Sequence, residues 1–272
     1  MELQGAIVLV TGAAGAIGAE IAAAFAREGA YLGLADVQAE PLQQLAQRLQ
    51  QAGGRAVAVV ADSADEVQVA AMVAGVEKDL GPIDVLINCA GRLSAIGPVW
   101  EVDPDRWQRD VVVNLCGTFL CCRQVLPSMI ARGSGYILNL VGGGVDDTHA
   151  FSSAYAASKV GVLRLTEALA HEARPHGVKT FAMQPPLVRS AMTRYIACSP
   201  EGRRWRPGFQ RHYDEASPDN AAVVADLALW LVSGQADALT GRYIEATQDR
   251  RALLESTAAI VQSDCLTLRI RR

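Results

Sequence analysis

Ile7-Val8-Leu9-Val10 is a short continuous apolar run, and Thr11-Gly12-Ala13-Ala14-Gly15-Ala16-Ile17-Gly18 follows it directly. The Ala-rich stretch from Ala19 to Glu28 comes next. This order predicts a buried strand, a tight turn and a helix. Glycines at Gly12, Gly15 and Gly18 let the backbone approach a pyrophosphate. The free N–H groups and positive dipole end of the following helix favour an anion there. Ala14, Ala16 and Ile17 are the other turn residues expected to meet it. Asp36 closes the next apolar run, 18 residues after Gly18. A carboxylate at that point accepts hydrogen bonds from ribose hydroxyls and repels a 2′-phosphate. Ala14, Val37 and Gln38 bring no positive charge beside it. The expected dinucleotide is therefore NAD rather than NADP. A tight turn followed by a solvated Asp is the plainer alternative, and it leaves the coincidence of the two features unexplained.

Further apolar runs stand at Tyr31 to Ala35, Ala56 to Ala61, Ile83 to Ile87, Tyr136 to Val141, Lys179 to Gln184 and Arg242 to Ala246. Short, nearly continuous runs suit strands covered on both faces. The segments between them have helical spacing: Leu42, Leu45 and Leu49 share one face, and Gly53-Gly54 follows as a stop. Ser63-Ala64-Asp65-Glu66 has capping-box spacing. Alternating strands and helices predict a single-domain α/β fold, a Rossmann-type doubly wound parallel sheet of seven strands. No Pro/Gly/Ser-rich linker divides the chain, so residues 1–246 are expected to form one domain, followed by a tail over 247–272.

The 25 Lys+Arg against 29 Asp+Glu give a formal charge of −4, which argues against a nucleic-acid partner. No run approaches the roughly 20 uninterrupted apolar residues of a membrane span. The start, MELQGAIVLVTG, has neither a basic segment nor a long apolar one, so a cytoplasmic setting is expected. Cys89, Cys116, Cys121, Cys122, Cys198 and Cys265 form no C-x-x-C pair, and neither a metal site nor a disulfide framework is expected.

With Thr11 to Gly18 and Asn88-Cys89-Ala90-Gly91 in view, the chain resembles the short-chain dehydrogenase/reductase family from about residue 5 to residue 246. The first segment matches its Thr-Gly-x-x-x-Gly-x-Gly pattern and the second its Asn-Asn-Ala-Gly element. The resemblance implies that this second element supports the central sheet, that Asn88, Ala90 and Gly91 pass near the adenosine ribose, and that Asp62 and Ser63 meet the adenine. Asp62-Ser63 is equally readable as a helix cap. Tyr155-Ala156-Ala157-Ser158-Lys159 matches the family's Tyr-x-x-x-Lys. Spacing of four puts both side chains on one helical face. A Tyr with a reference pKa near 10 is a poor base at neutral pH, and a neighbouring ammonium stabilises its tyrosinate. The resemblance implies that Tyr155 exchanges a proton with the substrate oxygen, that Lys159 activates it and holds the nicotinamide ribose, and that Asn114 supports a water relay. Taken alone, such a Tyr and Lys are more often a surface pair, and Asn114 reads as a helix-distorting core residue. After the sixth strand, Pro185, Val188 and Ser190 match positions that border the nicotinamide, although Pro186 replaces the usual Gly.

The family places a carbonyl-polarising Ser about 12 to 14 residues before the Tyr. Val141, Gly142 and Gly143 stand there instead, and none has a hydroxyl. Loss of one such donor costs about 10²–10³ in rate. Thr148, Ser152 and Ser153 are close in sequence, and nothing places them at the missing atom. Asp146, Asp147 and His149 either face the cleft or decorate a loop. Residues 189–216 match the family's mobile substrate lid, with Met192, Tyr195, Trp205, Phe209 and Tyr213 interleaved with Arg203, Arg204, Arg206 and Arg211. An apolar pocket with an Arg for an anionic group, or a packed helix with a solvated basic face, both fit this pattern. The tail is expected to pack on its own domain or on a neighbouring subunit of a homodimer or homotetramer. Two functions follow: an NAD(H)-dependent oxidoreductase interconverting a secondary alcohol and a ketone, a small-molecule substrate, or a catalytically impaired NAD-binding protein with an interaction or sensing role.

Overall fold

The computed structural model describes residues 1–145 and 148–270. Among these, seven strands form one parallel sheet in the order β3-β2-β1-β4-β5-β6-β7. They are β1 (Ile7–Thr11), β2 (Tyr31–Asp36), β3 (Arg55–Val60), β4 (Val85–Asn88), β5 (Gly135–Leu140), β6 (Val178–Gln184) and β7 (Tyr243–Glu245). The first strand shows why both sheet faces are covered. Val8 and Val10 enter one core with α1 (Ala16–Arg27), α2 (Ala39–Gln51) and α10 (Asn220–Val232). Ile7 and Leu9, on the opposite face of the pleat, enter the other with α3 (Glu66–Leu80), α5 (Gly117–Arg132) and α6 (Ser153–Ala173). Fully buried Phe25, Phe181, Leu32 and Leu86 each stabilise the fold by roughly 1.5–3 kcal/mol relative to exposure.

The chain leaves β1 for β2 on one side and reaches β4 on the other. At this reversal the loops after β1 and β4 diverge and open a crevice above the strand ends. The edges depart from the sequence expectation. As the outermost strand, β3 is covered only in part, and Val60 is 51% exposed. The cap of α3 is Asp65, which accepts from the backbone N–H groups of Val67 and Gln68, so Ser63 does not form the expected capping box.

Ahead of α5, α4 (Pro104–Val111) and a π-helical turn (Val112–Cys116) make Pro104–Arg132 one 29-residue helical run. Its length, and a mean hydropathy of 1.3 over an 18-residue stretch of it, match a membrane span by composition. Here its Asp110 and Asn114 are fully buried within the fold. The tail splits at Ser256 into α11 (Arg250–Glu255) and α12 (Thr257–Gln262). It then returns to the same sheet: Tyr243 N–H donates to Leu266 O at 2.8 Å, and Arg269 and Arg242 converge on Asp264. The terminal Arg271-Arg272 lie outside the described residues.

Candidate active site

A cavity of about 730 Å³ follows the crevice along the C-terminal ends of β1 to β6. At its centre is the Gly-rich turn. Gly12 adopts φ +63°, and a Cβ there would lie 2.7 Å from Ala90 Cα and Ala90 N. A Cβ on Gly18 would fall 2.3 Å from Gly12 O. These two contacts exclude any side chain and let the turn nest against the β4 loop. Thr11 Oγ1 ties the two together by accepting from Cys89 N and Ala90 N at 3.2 and 3.3 Å. No side chain caps α1, and no acid stands in its first turn. Gly15 and the first residues of α1, Ala16, Ile17 and Gly18, line the cavity, and the first backbone N–H groups of a helix have no partner within it. An open cradle of backbone donors, closed to any Cβ at Gly12 and Gly18, fits a dinucleotide pyrophosphate.

The β1–β3 end of the cavity is polar. Asp36, 8% exposed, accepts from Ala14 N and Gln38 N, each at 3.0 Å. Those bonds hold its carboxylate at the cavity edge. Asp62 and Ser63 also line this end, and Arg109 from α4 reaches across to Asp62 as an ion pair. Nothing in the spacing of Arg109 announces this position, because it depends on how α4 crosses the loop after β3. Ala90 and Gly91 line the cavity as expected, whereas Asn88 does not. The Asn88 amide points into the sheet and donates to Asn139 Oδ1 at 2.8 Å, because the strand alternates and the next residue, Cys89, takes the cavity side.

At the β4–β6 end, Tyr155 and Lys159 project from one face of α6 into the cavity. Lys159 Nζ donates to Leu140 O at 2.8 Å and stands 5.8 Å from the centroid of the Tyr155 ring. Burial pushes the Tyr155 hydroxyl up to about 12 and the Lys159 ammonium down to about 8. Burial likewise raises the Cys89 thiol to about 12, so it is a thiol at neutral pH. Asn114 sits in the π-helical turn with its amide fixed from both sides. It accepts from Arg92 N at 2.7 Å and donates to Arg92 O and Ser158 Oγ at 2.9 Å. Gly91 separates it from Lys159: a Cβ there would lie 3.5 Å from Asn114 Oδ1 and 3.7 Å from Lys159 Nζ.

The segment after β5 is packed against this pair. A Cβ on Gly142 would fall 2.2 Å from Tyr155 Oη, and one on Gly143 would fall 3.0 Å from His149 Nε2. His149 lines the cavity, with its ring centroid 5.7 Å from that of Tyr155. Asp146 and Asp147 lie outside the described residues. Ser152 and Ser153 are turned away: Ser152 is buried, and Ser153 Oγ accepts from Trp107 Nε1 at 3.0 Å. His149 and Phe151 have φ values of +42° and +63°, left-handed conformations that cost non-glycine residues about 1–3 kcal/mol each. Packing against the following segment holds them there. Arg206 bonds His149 Nε2 at 2.8 Å, and Phe151 stacks on Trp205 at 5.2 Å.

That segment comprises α7 (Ala191–Cys198), α8 (Pro200–Trp205) and α9 (Phe209–Glu215). Pro185, Val188 and Ser190 line the cavity before it, together with Pro186. The Ser190 hydroxyl caps α7 in a capping box with Thr193. Arg189 closes the far end by donating to Tyr213 O at 3.1 Å.

With this geometry in place, comparison with known proteins decides the family. The short chain dehydrogenase family matches residues 6–199. The chain belongs to that family. A galactitol 2-dehydrogenase (L-tagatose-forming) of Cereibacter sphaeroides is 36% identical, over 88% of this chain and 92% of its own. A D-threitol dehydrogenase of Mycolicibacterium smegmatis is 32% identical, over 89% of this chain and 94% of its own. Among solved structures, an NAD+-bound xylitol dehydrogenase superposes with a TM-score of 0.80 at 25% identity, covering 90% of this chain and 98% of that one. An actinorhodin polyketide ketoreductase with NADPH gives 0.76 at 29% identity, covering 88% and 95%. Short-chain dehydrogenases are nicotinamide-dependent oxidoreductases, and the seven-stranded parallel sheet is the fold of these neighbours.

Proposed function

We propose that this short-chain dehydrogenase interconverts a secondary alcohol and a ketone with NAD(H). One observation carries the reading: Tyr155 and Lys159 share the cavity wall with the Gly12–Gly18 cradle. A bound nicotinamide would supply the acceptor or donor of hydride. In the oxidising direction Tyr155 Oη takes the hydroxyl proton of the alcohol, and in the reducing direction it returns a proton to the ketone oxygen. A buried hydroxyl near 12 is neutral until positive charge stands beside it, and Lys159, charged below about 8, supplies that charge. Asn114 holds the Arg92 backbone and Ser158 in place behind the pair.

The choice of NAD rests on Asp36. The lining cations are Arg92, Arg109 and Lys159. Arg92 is paired with Asp110 and Arg109 with Asp62, while Lys159 stands at the other end. A 2′-phosphate at Asp36 would therefore meet an uncompensated carboxylate. Calorimetric titration should show NADH binding at least about tenfold tighter than NADPH. Equal or tighter NADPH binding overturns the assignment.

A second reading has its own observation. Gly142, 13 residues before Tyr155, brings no hydroxyl to the position where the family resemblance places one. A chain that binds NADH tightly yet turns over no alcohol or ketone would be a catalytically impaired NAD-binding protein.

A further inference from the structure

The relatives named above are dehydrogenases of polyols. The β4–β6 end of this cavity has a different chemistry. Its outer wall is made by Leu93, Met192, Ile196 and Phe209, which pack together over Tyr155 and offer no hydrogen-bonding side-chain group. Leu93 and Ile196 are only 5% and 3% exposed.

Several polar residues of the lid segment are committed elsewhere. Arg204 pairs with Glu101 and Arg211 with Glu215, while Arg206 lies over the Phe209 ring at 5.1 Å and bonds His149. None of the three lines the cavity, and neither does Arg203. The Thr193 hydroxyl donates to Val188 O at 2.7 Å, and the Ser190 hydroxyl accepts from Thr193 N at 3.2 Å. Arg92 does line the cavity, but the carboxylate of Asp110 sits 3.2 Å from its Nε. The cavity lining also includes His149, whose ring lies 5.7 Å from that of Tyr155 and which is already bonded by Arg206, and Gln184 at the end of β6. These groups can hold one reacting oxygen. They cannot serve a row of hydroxyls along an apolar wall.

We propose that this end of the site selects a ketone or secondary alcohol with an apolar body, and rejects polyhydroxylated and anionic substrates. The inference rests on the hydride-transfer reading and names its substrate class. Each hydroxyl that leaves water without a partner lowers affinity roughly tenfold. An anionic group would lose its hydration against this apolar wall, where the nearest arginine, Arg92, is paired with Asp110 and the Lys159 ammonium is held at Leu140 O behind Tyr155. Apolar carbon against Leu93, Met192, Ile196 and Phe209 gains by the area it removes from water.

The test has two arms, both on the full chain. In the first, turnover with saturating NAD+ is measured for cyclohexanol and 2-octanol against xylitol and galactitol. The expected kcat/KM is at least about 100-fold higher for the apolar pair. Ile196→Asn, which adds hydrogen-bonding groups to the wall, should narrow that ratio about tenfold. In the second arm, Tyr155→Phe loaded with NADH is titrated with cyclohexanone and with erythrulose, and binding is read from NADH fluorescence without any chemistry. Tighter cyclohexanone binding supports the substrate class even if no alcohol is turned over, in which case only the oxidoreductase reading fails. Equal binding, or preference for erythrulose, overturns the inference whatever the turnover arm shows.

Discussion

The two ends of the cavity are built on different principles. At the β1–β3 end, backbone geometry and fixed polar groups define the surface: Gly12 and Gly18 press against neighbouring main chain, and Asp36 is held by two backbone N–H groups. These contacts involve residues within about forty positions of one another or adjoining strands. At the β4–β6 end the wall is assembled from α6, the segment after β5 and the lid helices, which meet only in the folded chain. The first end is built from local steric and backbone contacts. The second has to fit whatever substrate the chain takes, and it contains the left-handed His149 and Phe151, a local cost met by packing against Trp205 and Arg206.

If the ends are separable in this way, Tyr155→Phe should lower kcat by about 10²–10⁴ while NADH binds within about threefold of the parent. Steady-state kinetics beside fluorescence titration checks it. A variant that lost NADH binding to the same degree as turnover would break the separation.

Gly142→Ser probes the contact between the β5 loop and α6. Supplying the hydroxyl found in the family looks like a repair from the sequence alone, but the added Cβ would fall 2.2 Å from Tyr155 Oη. Tyr155 must shift, and a displacement of about 1 Å at the reacting group costs up to roughly 10² in rate. Lower turnover with unchanged NADH affinity is the expected result. A gain in turnover would show that the loop yields instead of the tyrosine.

The smallest effect concerns Lys159, where the two ends meet. Its folded value near 8 lies below the ordinary 10.5, so the unfolded chain holds more protons between those values. Burial of Lys159 therefore opposes folding most strongly below about pH 8, and stability should rise with pH from 8 toward 10, by an amount on the order of 3 kcal/mol over the full window. Tyr155 works against this gain at the upper end of the window, because its hydroxyl is raised to about 12 and the unfolded tyrosine, at its ordinary value near 10, loses its proton first as pH approaches 10; that loss is common to parent and variant and cancels in the comparison. Urea denaturation of the parent and of Lys159→Met at pH 7.5, 9 and 10 measures the difference. The parent should gain on the variant as pH rises, and parallel profiles would show that Lys159 keeps its charge when folded.

The sequence by itself determined the parallel, doubly wound sheet, because apolar runs alternate with amphipathic segments and because the glycines of the first turn have a local steric reason to be there. It also brought Tyr155 and Lys159 together, since spacing of four on one helix needs no tertiary information. The motif gave Asn88 two roles, support of the sheet and a place near the ribose, and the pleat of β4 turns its amide into the sheet toward Asn139. Ser63 had capping-box spacing, but the chain enters α3 two residues later and Asp65 takes the cap. Only the tertiary structure decided that Arg109 faces Asp62, that Tyr155 fills the space beside Gly142, and that Arg203, Arg204, Arg206 and Arg211 stay out of the cavity lining. The physical reason is the range of the interaction: turn sterics and helical spacing are set by neighbours in the chain. The direction of a side chain across a cleft is set by helices that pack from well outside its own turn, as Arg109 does on Asp62 from 47 positions away.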